Sequence, residues 1–241
     1  YIASQEGQLE VVRLLAELGA DVSTPNNNGA TPLYIASHNG HVEVVRLLAE
    51  RGADISTPRN NGVTPLFIAS RCGQLEVVRL LAELGADVST PDNEGTTPVW
   101  ICSHFGHVEV VRLLAELGAD VSTPDNEGTT PVWICSQEGH VEVVRLLAEL
   151  GADVSTPSNT GATPLSIASE CGQLKVVRLL AELGADVSTP NNNGATPLFM
   201  ASQEGKLATA RVLLALGEPR LPTPLSPPPP LTLEPDAALG A

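Results

Sequence analysis

The sequence predicts an all-α solenoid, a stack of near-identical helix-turn-helix units in place of a single globular core. Three observations predict it. Thr-Pro followed by Leu or Val recurs every 33 residues, at Thr31, Thr64, Thr97, Thr130, Thr163 and Thr196. Glycines keep the same beat, at Gly40, Gly73, Gly106, Gly139, Gly172 and Gly205, and again at Gly52, Gly85, Gly118, Gly151 and Gly184. A fixed period of this size marks a stack of small units. Each period also holds two short apolar-striped segments of about 8–10 residues, below the ~12–15 at which an isolated helix becomes marginal in water. One unit cannot hold itself together, so its neighbours must bury its apolar face.

The elements follow in order within the unit 29–61. Thr31 before Pro32 is a helix start: the hydroxyl can accept an orphan N–H of the first turn, and proline tolerates the first helical position. Leu33, Ala36 and Ser37 share a face, and Gly40 ends this first helix. The second helix carries Val42, Val45 and Leu48 on one stripe, with Val44 and Leu47 filling beside it. Gly52 stops it, because glycine reaches the left-handed conformation without penalty. The stretch from Asp54 to Gly62 is turn chemistry, with Asn61-Gly62 suited to a β-hairpin. The same reading places a partial unit at 1–28, full units at 62–94, 95–127, 128–160 and 161–193, and a capping unit at 194–217. The cap departs from the common second helix, with Lys206, Thr209 and Arg211 expected to supply its polar face.

Gly-x-Thr-Pro-Leu-x-x-Ala, then Gly-His-x-Glu-Val-Val-x-Leu-Leu, then Gly-Ala-Asp-Val resembles the ankyrin repeat, at the ankyrin period, over residues 1 to about 217. The resemblance implies a right-handed curved array whose hairpin tips and first helices line a concave face that grips partners. Two positions depart from the family pattern. Where the family has His after Thr-Pro-Leu, this chain has Tyr34, Phe67, Trp100, Trp133, Ser166 and Phe199; where it has Asn after Ala-Asp-Val, this chain has Ser23, Ser56, Ser89, Ser122, Ser155 and Ser188. The second departure counts against the hydroxylation that the resemblance would imply at that Asn.

Much of the composition is multiplied structure. Seven layers packed about 8–10 Å apart would span roughly 55–70 Å. The net charge of −15 is largely one acidic set, Glu43, Arg46, Glu50 and Asp54, copied along the chain. Glu43–Arg46 and Arg46–Glu50 have helix-neighbour spacing, which reads as a solvated ridge; an acidic surface for basic partners is the alternative. Either way the acidity argues against nucleic-acid backbone binding, which needs clustered Lys and Arg. The four cysteines, Cys72, Cys102, Cys135 and Cys171, form no C-x-x-C pair. Cys102 and Cys135 lie one repeat apart, beyond the ~7 Å reach of a disulfide, and read as packed thiols of a cytoplasmic or nuclear protein. The five histidines have no zinc-like i,i+4 pairing. No run is long and apolar enough for a bilayer. The chain opens at Tyr1 inside a first helix without an initiator Met, so it reads as a piece of a longer protein.

The differences between copies carry the functional signal. Val88 to Cys102 repeats letter for letter as Val121 to Cys135, so tandem duplication supplied the background. Variation gathers at the hairpin tips, such as Asp92-Asn93-Glu94 and Ser158-Asn159-Thr160, and at the ends of the first helices, such as His38-Asn39 and Gln203-Glu204. It is either drift at exposed sites or a partner surface. On the second reading the candidate binding residues are Asn61, Arg71, Glu94, His104, Phe105, Glu127, Gln137, Glu138 and Glu170. Phe105 stands out as an apolar side chain at an otherwise polar helix end, a candidate anchor. Phe67 and Arg71 have cation–π spacing. The aromatic ladder (Tyr1, Tyr34, Phe67, Trp100, Trp133 and Phe199) is either core, its rings stacking edge-wise between layers where a His would have hydrogen-bonded the neighbouring hairpin, or the floor of the concave groove.

From Glu218 the composition turns proline-rich, with Pro227 to Pro230 at its centre. Residues 218–241 read as a disordered tail, or as a docking site for a proline-binding domain with phosphoacceptors at Thr223 or Ser226. No catalytic constellation and no cofactor or metal motif is present. The expected function is a monomeric scaffold that holds a partner protein or peptide along its concave face, with no nucleic acid or membrane partner. The alternative is the recognition arm of a larger enzyme, a kinase or ubiquitin ligase, whose catalytic part lies outside this chain.

Overall fold

The computed structural model describes residues 1–217, and within them fourteen helices run in seven pairs. The first helices are α1 (Ile2–Gln5), α3 (Pro32–Asn39), α5 (Pro65–Arg71), α7 (Pro98–His104), α9 (Pro131–Glu138), α11 (Pro164–Cys171) and α13 (Pro197–Gln203). The second helices are α2 (Leu9–Glu17), α4 (Val42–Glu50), α6 (Leu75–Glu83), α8 (Val108–Glu116), α10 (Val141–Glu149), α12 (Leu174–Glu182) and α14 (Leu207–Gly217). First helices pack on first helices and second on second in the neighbouring layers, and each first helix also packs on the second helix of its own pair. The tail, with Thr223 and Ser226, lies outside the described residues.

The helix starts form as the residues dictate. Thr31, Thr64, Thr97, Thr130, Thr163 and Thr196 each accept, through the side-chain oxygen, the N–H three residues on, and the proline follows at the first helical position. Second helices bury Val44, Val45, Leu47 and Leu48 or their equivalents, whereas Val42 is only half-buried. The sealed stripe is therefore centred one residue further along than the Val42–Val45–Leu48 spacing suggests. Where a β-hairpin is expected, the described residues hold no strand. Each loop is a turn closed by a bond such as Asn26 N–H to Ala30 O, 2.9 Å, or Arg59 N–H to Val63 O, 3.0 Å.

Neighbouring layers, not local sequence, decide what is buried. Helices α2 and α6 have the same sequence, LEVVRLLAE. In α6, with a layer on both sides, Val77 is 1% exposed; in α2, at the end of the stack, its equivalent Val11 is 44% exposed. The last helix departs in part from the expected cap: Arg211 is exposed and Lys206 half-buried, but Thr209 is not at the surface. Thr209 is buried where other copies carry Val143 or Val176, while Leu207, Leu214 and Leu216 are exposed.

Backbone acceptors tie the layers together. His41 Nε2 meets Gln5 O, His107 Nε2 meets Arg71 O and His140 Nε2 meets His104 O, each at 2.9 Å. In the copies without His, Gln74 Nε2 donates to His38 O at 3.2 Å and Gln173 Nε2 to Gln137 O at 2.9 Å. Each of these side chains reaches back one layer to an orphan carbonyl at the end of a first helix. The ring of His140 lies against Gly106, where a Cβ would come within 2.7 Å of Nδ1.

Candidate partner-binding groove

The tips form one wall of a groove. In the third unit Asp92 Oδ1 accepts from the Glu94 and Thr96 N–H groups, both at 3.0 Å, and Asp125 Oδ1 repeats this with Glu127 at 3.0 Å and Thr129 at 2.8 Å. The middle Asn of each tip reaches to the preceding tip: Asn93 N–H donates to Asn61 O at 3.1 Å, and Asn126 N–H to Glu94 O at 3.0 Å. These bonds use backbone oxygens, so the side chains of Asn61, Glu94 and Glu127 remain exposed.

The first-helix ends form the opposite wall. Arg71 sits over the Phe105 ring, 5.4 Å from its centroid. His104 stacks flat on Phe105, with centroids 4.7 Å apart and planes 8° from parallel, and meets Trp100 edge-on at 5.5 Å. His104 Nε2 lies 4.0 Å from Glu138 Oε1, which also accepts from Gln137 Nε2 at 2.9 Å. Burial holds the His104 imidazole below its ordinary value, while the Glu138 carboxylate pulls the other way.

Between the walls lies a groove of about 760 Å³. Asn61, Arg71, Glu94, His104, Glu127 and Gln137 line it, and so do Phe67, Trp100 and Trp133. The other three candidates lie outside. Phe105, though 43% exposed, is taken up by Arg71 and His104. Glu138 holds His104 and Gln137, and half-buried Glu170 stands one unit away. The expected Phe67–Arg71 pair does not form. Phe67 is 2% exposed, packed with Tyr34, Val63 and Ile68, so Arg71 finds a free ring in the next layer.

The ladder is core and groove floor at once. Tyr34, Phe67 and Trp100 are buried, Trp133 is half-buried, and Tyr1 and Phe199 at the ends are exposed. The indoles take over the bond that the resemblance assigned to the missing His. Trp100 Nε1 donates to Thr129 O at 2.9 Å and Thr129 Oγ1 at 3.2 Å, and Trp133 Nε1 donates to Ala162 O at 2.8 Å. A ring that was expected only to add apolar area thus also satisfies the next turn. Asp92 and Asp125 line the groove too. They are not among the candidate residues, although their tip position varies between copies and so carried the signal that could have found them.

A family model for ankyrin repeats matches three times, over residues 1–92, 84–158 and 155–221. The chain is an ankyrin-repeat protein. Ankyrin repeats are generally protein–protein interaction modules, and the family is typically non-catalytic. None of the curated proteins matches this chain. Among the described residues, no helix of this ankyrin array is long and apolar enough to cross a membrane.

Some of the remaining charged and thiol groups pair or pack within the stack, though among the described residues the expected Arg46–Glu50 pair does not close. Glu10–Arg13, Glu43–Arg46, Glu76–Arg79 and Glu109–Arg112 close as i,i+3 pairs at 3.6–3.9 Å on the outer helices. Exposed pairs of this kind are worth below ~1 kcal/mol each. Cys102 and Cys135 are fully buried free thiols, each donating to a carbonyl in its own helix, Val99 O or Val132 O, at 3.3 Å. Burial pushes both thiols up, which keeps them protonated.

Proposed function

We propose that this ankyrin array is a scaffold that holds a partner protein or peptide in the groove between the hairpin tips and the first-helix ends. One observation carries the reading: six of the nine candidate residues chosen for differing between copies line a single groove. The groove is long and open, with the two tryptophans on its floor and hydrogen-bonding side chains on both walls, which suits an extended segment better than a small enclosed ligand.

The chain contains two tryptophans, and both line the groove, so intrinsic fluorescence reports occupancy directly. The test is a selection of random peptides displayed on phage, followed by titration of the enriched peptides. A peptide bound in the groove shifts the tryptophan emission and loses affinity on Gln137→Ala. Enriched peptides that bind without either effect place the binding face elsewhere and overturn the reading.

A further inference from the structure

The register shows what the groove lacks. In the second unit the tip residue Arg59 lies over the Tyr34 ring, its guanidinium carbon 5.4 Å from the centroid, and Nη1 donates to the Tyr34 hydroxyl at 3.4 Å. One and two repeats further on, the positions equivalent to Arg59 are Asp92 and Asp125. Where the second unit carries a cation, the next two carry an anion. The next variable tip position changes in the same two units, to Glu94 and Glu127, where the other copies have Asn28, Asn61, Thr160 and Asn193. Four carboxylates therefore face one groove from adjacent tips. Among the described residues Glu94 and Glu127 make no ion pair. Arg71, across the groove, is engaged with Phe105.

We infer that the groove recognises a polyproline-type segment carrying an arginine or lysine at every third residue. This rests on the groove reading above. Charge gives the sign: two anionic tips beside the half-buried Trp133 indole favour guanidinium or ammonium groups, by Coulomb attraction and by cation–π contact with Trp133. Pitch gives the spacing. Adjacent layers of packed helices lie about 8–10 Å apart. A β-strand advances ~3.3 Å per residue but alternates its side chains, so residues three apart point to opposite faces. A polyproline helix repeats every three residues at about 3.1 Å each, so positions i and i+3 point the same way roughly 9 Å apart. That pitch matches the stack and sets one cation against each acidic tip. The chain's own proline-rich tail does not fit, since residues 218–241 hold Arg220 against Glu218, Glu234 and Asp236.

The array supplies a control that leaves the fold alone. At 26–28 and 191–193 the tip is Asn-Asn-Asn, and Asn26 and Asn191 accept the same two turn N–H groups as Asp92 does. The quadruple variant Asp92→Asn, Glu94→Asn, Asp125→Asn and Glu127→Asn thus removes four charges and keeps the two turn N–H bonds of each tip, while at Asp125 it also replaces the oxygen that accepts from Thr129 Oγ1 at 2.6 Å. The test titrates the protein with two synthetic peptides of equal composition, four Arg-Pro-Pro triplets or a block of four Arg followed by eight Pro, read by tryptophan fluorescence. The triplet peptide should bind at least fivefold tighter than the block peptide and lose at least tenfold on the quadruple variant, with circular dichroism of that variant unchanged. Equal binding of the two peptides overturns the register. Binding that survives the quadruple variant overturns the carboxylates as its cause. A triplet peptide that leaves the fluorescence unmoved overturns the inference, while peptides enriched by display that still shift the fluorescence leave the groove reading standing.

Discussion

Two serines at one register position should respond with opposite sign to the same mutation. Ser70, fully buried, donates to Leu66 O at 2.9 Å, and Ser37, Ser169 and Ser202 make the same bond in their own helices. Ser103 and Ser136 are equally buried, yet their hydroxyls have no partner. The reason is one residue upstream. Cys102 and Cys135 stand where other copies have Ala36, Ala69, Ala168 and Ala201, and their thiols take up Val99 O and Val132 O, the carbonyls a serine would use. Ser70→Ala removes a made bond and should cost about 0.5–1.5 kcal/mol. Ser103→Ala removes an orphan hydroxyl whose burial costs about 1–3 kcal/mol, leaving a void of only one atom, so it should stabilise by roughly 1 kcal/mol. Cys102→Ala loses about 1–1.5 kcal/mol of packing and regains about 1 kcal/mol as Ser103 bonds to Val99 O, a near-cancellation unusual for a buried deletion. In reverse, Ala69→Cys should strip Ser70 of its acceptor. Urea unfolding followed by circular dichroism measures all four, compared at unchanged m-value. A Ser103→Ala midpoint lowered as far as that of Ser70→Ala would refute the reasoning, because it would mean that Ser103 has a bond to lose.

Three further perturbations test the stack. His107→Ala should lose about 1 kcal/mol by leaving Arg71 O unpaired, whereas His107→Gln should be nearly neutral, since Gln74 and Gln173 do that work natively; thermal melts decide it. Gly106→Ala and Gly118→Ala both force a left-handed alanine at about 1–2 kcal/mol. Gly106→Ala should be the worse, because its Cβ would press on the His140 ring while Gly118 has open space. Burial lowers the folded-state pKa of His104, so its stabilising share is present above the unfolded value of 6.5 and is lost as pH falls from there through the folded pKa. NMR titration should place His104 below 6.5, and Glu138→Gln should lower it further by removing the carboxylate that opposes burial; a value above 6.5 contradicts this.

The period made the architecture legible because each copy solves the same local problems with the same residues. Thr-Pro starts a helix by its own chemistry, and Gly40 ends one, wherever the unit sits. What the sequence did not disclose depends on contacts between copies. Phe67 and Arg71 have the right spacing within one helix, but the ring is sealed from the other side by Tyr34 and Ile68. Phe105 looks like a free anchor only while Arg71, one layer back, is out of view. Thr209 reads as a polar cap residue until it is seen to occupy a valine's place. The indole bonds to Thr129 and Ala162 span 29 residues, and nothing local in Trp-Ile-Cys announces them.

The bonds that join the layers explain why the groove is free to vary. The staples at the second-helix starts end on backbone carbonyls, as do the Asn bonds between tips and the indole bond of Trp133. A carbonyl belongs to every residue type. Arg59, Asp92 or Ser158 can therefore occupy the same corner of the tip while the turn still closes, through the N–H bonds to Val63 O, Thr96 O and Ala162 O at 3.0 Å each. The backbone acceptors of these bonds are untouched by substitution, and the tip side chains that differ between copies add at most local bonds, such as those from the Glu94 and Thr96 N–H groups to Asp92 Oδ1. Exchanging the tip triplet between units should accordingly move binding far more than melting temperature, by less than ~1 kcal/mol in stability. A tip exchange that unfolded the array would show that those side chains support the stack and are not available to a partner.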